Sequence, residues 1–119
     1  MTLVYEFHVN RWYQLGSPIV QSPSSEYTEV GNAVDLDGGI LAVGIPGAGA
    51  RGTVALFRYL DGDWVMRSEM IVGDEVGDDF GVSLATRRDR TTDGFALVVG
   101  ALQSGNSGPG YVASYVKRN

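Results

Sequence analysis

The stretch GDDFGVSLATRRDRTTDGFALVVGA, residues Gly77 to Ala101, sets Phe-Gly just before one short apolar run and Gly-Ala just after the next. An acidic turn leads in, and a charged loop separates the two runs. The stretch from Gly31 to Gly52, GNAVDLDGGILAVGIPGAGARG, follows the same order: Gly, short strand, Asp-Gly turn, apolar strand, Gly, loop, Gly. Gly31 and Gly81 stand 50 residues apart, and Gly44 and Gly100 stand 56 apart. The offset grows because the second copy carries a six-residue insertion around TRRDRT. A hairpin loop is where added length costs least. Self-similarity at this period points to a repeat architecture.

A third element recurs. VYEF (Val4 to Phe7), VALF (Val54 to Phe57) and VASY (Val112 to Tyr115) share the order Val-x-x-aromatic. The first two are followed by Trp12 and Trp64, 52 residues apart. Four strand types therefore cycle. Type A covers Ala33 to Leu36 and Val82 to Ala85. Type B covers Ile40 to Val43 and Phe95 to Val99. Type C covers the Val-x-x-aromatic segments, and type D runs from Trp12 to about Val20 and from Trp64 to Val72. Short strands punctuated by glycine, with no helical period, make the chain all-β. ILAV and FALVV are continuously apolar, so both B strands are expected to be covered on both faces. WVMRSEMI alternates and suits a half-exposed outer strand.

Sheets with dry inner strands and a polar outer strand, repeated about every 40–50 residues, are the signature of β-propeller blades. FGVSLA, FALVVGA and GYVASY resemble the FG-GAP repeat, the four-stranded antiparallel blade of integrin α-like propellers. Phe80-Gly81 stands at its Phe-Gly position, and Gly100-Ala101 at Gly-Ala-Pro with Leu102 in place of proline. The earlier copy has Val30-Gly31 and Gly44-Ile45-Pro46 at these places. The resemblance implies a partial propeller of about two blades. Residues 1–30 are strands C and D of a preceding blade, 31–79 blade one, and 80–119 blade two without its last strand. It implies that Trp12, Gly31, Gly44, Pro46, Trp64, Phe80, Gly81 and Gly100 pack the blades. Phe80 would plug the contact between neighbours, and Gly81 and Gly100 would let two backbones approach. It also favours an extracellular or organelle-lumen setting.

Composition bounds the function. Seventeen glycines among 119 residues are spread as punctuation, at twice the usual share of roughly 7%. The formal charge of −5 shows no basic face of the kind a duplex nucleic-acid binder needs. No apolar run is long enough to span a membrane as a helix, which leaves docking on a membrane complex open. MTLVYEFHVNRWYQ lacks the basic and apolar regions of a signal peptide. With no cysteine there is neither a disulfide nor a thiolate metal site.

Chemistry has few footholds. FG-GAP blades often hold calcium in the A–B loop, and calcium needs six or more oxygens. Here DRTTDGFAL offers only Asp89 and Asp93 beside three arginines. They are weak candidates for a degenerate loop, and turn residues satisfying local backbone are the favoured reading. The acidic stretch holding Glu69, Asp74, Glu75, Asp78 and Asp79 is a candidate docking surface for a basic partner. Arg87, Arg88 and Arg90 are one for an acidic partner. Solvated loops, or mutual neutralisation of the two clusters, are the plainer readings. His8 is the single histidine and has no G-x-S-x-G nucleophile motif to serve. The expectation is a non-enzymatic protein-binding or scaffold module without a cofactor. Its partners are other proteins or further repeats, and it acts as part of, or an accessory subunit on, a larger assembly. The alternative is a fragment of a propeller-type hydrolase, a glycosidase or esterase.

Overall fold

The computed structural model describes residues 1–19, 30–47, 51–67, 70–92 and 94–118. Asp93, Ser68, Glu69 and the end of the first D segment at Val20 lie outside them. The described residues form ten strands and no helix, arranged in three antiparallel sheets. The N-terminal sheet is the hairpin of β1 (Tyr5–His8) and β2 (Arg11–Gln14). The middle sheet has the order β3 (Ala33–Asp37), β4 (Ile40–Ile45), β5 (Thr53–Leu60), β6 (Asp63–Met66). Short β7 (Ile71–Val72) continues the β6 edge by pairing with the start of β5. The C-terminal sheet has the order β8 (Ser83–Arg88), β9 (Phe95–Ala101), β10 (Tyr111–Lys117).

The hairpin turns follow from local chemistry. Gly38-Gly39, Asp61-Gly62 and Val9-Asn10 all take positive φ at both central residues, the geometry that matches strand twist. Glycine adopts it freely, whereas Val9 does so against the preference of a β-branched residue.

Pairing register carries the repeat. Phe7 faces Trp12 as Tyr59 faces Trp64. Leu15 N–H donates to Val4 O as Arg67 N–H donates to Leu56 O. Thr2 bridges Ile19 as Val54 pairs with Ile71. All six residues shift by 52. Both D segments thus break and resume, rather than running unbroken from tryptophan to valine. The register also places Thr2, not Val4, at the position of Val54, so the first Val-x-x-aromatic match is offset by two residues. Side chains alternate with period two, so that offset keeps the same face. Between the middle and C-terminal sheets, Ala33–Gly44 matches Ser83–Gly100, and Gly44–Val54 matches Gly100–Val112.

Two apolar layers hold the sheets together. Leu41, Val43, Ile45, Ala55 and Phe57 on the front of the middle sheet meet Val4 and Ile19 of the N-terminal segment. Ala42, Val54 and Leu56 on its back meet Phe80, Leu97, Val99 and Ala101. β4 is therefore buried along its whole length, as its sequence implied. The second B strand differs from expectation: Phe95, Leu97 and Val99 are buried, but Val98 is exposed. Among the described residues no sheet lies behind it, so its apolar run is dry on one face only.

Candidate binding surfaces

The connection from β7 to β8 is built around Phe80. Its side chain is almost fully buried, with Tyr111 and Tyr115 at ring-centroid distances of 6.4 and 6.5 Å. Its N–H donates to Arg51 O at 3.1 Å, and its backbone bridges Gly52. Gly44 and Gly81 make a close crossing of the two sheets, where a Cβ on Gly44 would overlap Gly81 O. Gly81, at φ 96°, would itself drive a Cβ to 2.7 Å from Thr53 O. Gly100 does not take part in this crossing, contrary to expectation. A Cβ there would meet the Ser83 hydroxyl of its own sheet. Gly31 fills the Gly81 role in the first copy, its N–H donating to Gly44 O as Gly81 N–H donates to Gly100 O. Pro46 is buried where the chain turns after β4.

Asp78, read from sequence as surface, is fully buried. One carboxylate oxygen accepts from Gln103 Nε2 at 3.0 Å and Asn106 Nδ2 at 2.8 Å. The other accepts from Tyr111 OH at 2.7 Å and Glu75 N at 3.0 Å. These donors, Tyr111 first, hold its carboxyl well below the usual carboxylate range. Burial, reinforced by the bond to Asp78, pushes the Tyr111 phenol up to about 12. A buried carboxylate with four donors organises a loop and is not open to a partner. Asp79 accepts from Ser104 Oγ. Asp74 and Glu75 remain exposed. The acidic turn therefore clasps the β9–β10 loop and leaves the arginines to other partners. The signal lay in the next loop: Gln103, Asn106 and Tyr111 are the donors a buried carboxylate needs.

At the opposite end of the sheets, Asp35 and Asp37 of β3 accept the N–H groups of Thr86 and Arg88 at 2.6 and 2.7 Å. These N–H groups lie on the outer edge of β8, so the two carboxylates cap an otherwise open strand edge. Arg88 also donates to Gly38 O, and Arg90 pairs with Asp37 at 3.1 Å. Sequence reading saw only a tight turn in DLDGG, although spacing of two puts both carboxylates on one face.

Beside this edge opens a cleft of about 800 Å3 lined by Arg87, Arg88, Arg90, Lys117 and Arg118, with Phe95, Ala96 and Val116 as its apolar wall. Asp89 lies on its rim, where it accepts Thr91 N at 2.9 Å and Thr91 Oγ1 at 2.7 Å. Those bonds lower its carboxyl from the usual value. Its oxygens thus serve a local turn, and no group of three His, Cys, Asp or Glu side chains converges among the described residues. Elsewhere, His8, Glu6 and Tyr13 border a hollow of about 260 Å3.

The two tryptophans differ. Trp64 packs against the first apolar layer and donates its indole N–H to Leu15 O at 2.9 Å. Asp63 beside it accepts Ser17 N at 2.8 Å, joining the N-terminal and middle sheets. Trp12 keeps its aromatic neighbour, Phe7, at 5.2 Å but is exposed, with no second sheet packed on it among the described residues.

No family model, no curated protein and no solved structure matches the chain.

Proposed function

We propose that the chain is a non-enzymatic scaffold module built of FG-GAP-like propeller blades, working as part of a larger assembly. One observation carries the reading. The front of the N-terminal sheet bears Tyr5, Phe7 and Trp12, exposed by 50%, 56% and 66%. By register they correspond to Phe57, Tyr59 and Trp64, of which Phe57 and Trp64 pack in one apolar layer with Val4, Leu15 and Ile19 of the N-terminal segment. The back of the C-terminal sheet bears Val98 and Val112, exposed by 42% and 71%, at the positions of the buried Ala42 and Val54. Both bare faces thus have the chemistry of a sheet contact. Contiguous apolar faces of this kind mark interaction surfaces, and repeat units bury such faces by stacking on neighbours. The occupants are further repeats of a longer chain, other copies, or another protein of the assembly, membrane-associated or not.

Sedimentation velocity across a concentration series tests this. Association that Val98→Lys and Val112→Lys abolish without lowering the melting temperature is the expected result. A dilute, well-folded chain that stays monomeric at every concentration overturns the reading.

A further inference from the structure

The cleft at the end of β8–β10 carries a second kind of docking, at one end of the bare back of the C-terminal sheet, where Arg87, Ala96 and Val116 share a face with Val98. The chain holds nine Lys and Arg against 14 Asp and Glu. Five of those nine cations, Arg87, Arg88, Arg90, Lys117 and Arg118, line this one cleft, where Asp37 and Asp89 are the acidic lining among the described residues. An acidic chain has therefore gathered most of its positive charge at one place, and a local potential of that sign draws anions.

Their present engagements differ. Arg88 is committed to Gly38 O, and its stem packs against the Gly38 backbone, so it serves as wall. Among the described residues Arg90 is held by an exposed pair with Asp37, its side chain 73% accessible. Such pairs are weak and readily exchanged. Arg87, Lys117 and Arg118 are exposed. Val116 and Ala96 also line the cleft, and Arg87, Ala96 and Val116 are cross-strand neighbours on one face.

Two features narrow the ligand. An apolar strip between cations suits a polypeptide with an apolar side chain among carboxylates better than a polyphosphate backbone. In addition, β10 has an open edge along the described residues, where the corresponding β5 carries β6 and β7. An open edge offers backbone groups to an extended segment.

We propose that this cleft docks an acidic, extended segment of a partner protein, its carboxylates on Arg87, Lys117 and Arg118 and an apolar side chain on Ala96 and Val116. The inference rests on the scaffold reading only in taking the partner to be a protein.

The test is fluorescence anisotropy with the full chain and a fluorescein-labelled acidic peptide carrying one central valine. Binding that falls with added salt, and that Arg87→Glu and Arg118→Glu each weaken by about tenfold or more, is the expected result. Arg11→Glu, outside the cleft, serves as the control and leaves binding unchanged. Circular dichroism checks that each variant folds. The amide analogue of the peptide, with Asn and Gln for Asp and Glu, should not bind. Absence of peptide binding, or binding indifferent to both charge reversals, overturns the inference. So does tighter binding of a single-stranded oligonucleotide, or of phosphatidylserine vesicles, than of the peptide. Because self-association is read separately by sedimentation with the Val98 and Val112 variants, failure of either proposal is distinguishable from failure of the other.

Discussion

The back of the middle sheet and the back of the C-terminal sheet are the same surface in register and opposite in fate. Ala42, Val54 and Gly44 correspond to Val98, Val112 and Gly100. The first three are buried against Leu97, Phe80 and Gly81, while Val98 and Val112 lie open. The polar positions have diverged further. Asp35 and Asp37, which cap the neighbouring edge, become Ala85 and Arg87. Strand identity is thus set by the chain's own pattern, but burial is set by whatever stands alongside. The contrast also gives each covered residue an uncovered control.

The sharpest break is a charge. Val99→Asp and Val43→Asp place an unpaired carboxylate inside an apolar layer, a cost of several kcal/mol that should abolish folding. Val98→Asp, one residue away on the open face, should cost less than about 1 kcal/mol. Thermal melts of the variants check this, and equal losses at Val98 and Val99 would mean that the open face is covered in solution.

Next come the glycines. Gly44→Ala forces a Cβ onto the Gly81 carbonyl, which is backbone and cannot rotate away. The loss should reach about 3 kcal/mol, the upper range for overpacking. Gly100→Ala meets only the movable Ser83 hydroxyl and should stay within about 1 kcal/mol. Denaturant midpoints measure both.

The third test titrates the junction. Asp78 is depressed in the folded chain, so its contribution is fully present above the ordinary carboxylate value of about 4. It is lost as pH falls from there toward the depressed value. The wild-type melting temperature should drop steeply on acidification below about pH 4, and Asp78→Asn should melt lower at neutral pH with a shallower acid slope. Parallel pH curves for the two proteins would contradict the buried-carboxylate assignment.

The smallest effect concerns the cap. Asp35→Ala leaves the Thr86 N–H without its acceptor and should cost about 1–2 kcal/mol. Ala85→Asp, at the matching position with no neighbouring edge among the described residues, should change stability by less than about 0.5 kcal/mol. Amide exchange at Thr86 reads the first directly: faster exchange in Asp35→Ala is expected, and unchanged protection would remove the cap.

Much of this was legible in the sequence because it rests on local rules. Recurring glycines and short, continuously apolar runs set the strand order and the pairing of β3 with β4 and β8 with β9. Phe80 and Gly81 were readable because only a large apolar ring and a missing Cβ fit such a crossing. The rest depended on tertiary neighbours. An unbroken apolar run at Phe95 to Val99 looks the same whether a sheet covers one face or two. Asp78 looked like one of a solvated acidic set, since nothing in GDDFG distinguishes it from Asp79. Its burial follows from donors some 25 to 33 residues onward. The cationic cleft was half visible: RRDR stood out, but Lys117 and Arg118 join it only because β10 pairs beside β9.

Every length change between the copies falls in a loop, while each matched pairing keeps its register. Under the proposed stacking of repeats, successive units would be related by one rotation and translation applied again and again. An operation of that kind has only two outcomes when iterated. It returns to its starting point after a whole number of steps and makes a ring, or it misses and winds into an open spiral. The hairpin loop between β8 and β9 is free to lengthen and acquire new chemistry, whereas the connection that carries Phe80 and Gly81 is itself part of the join. One residue added inside β4 or β9 would instead turn every later side chain to the wrong face and change the geometry of the whole array.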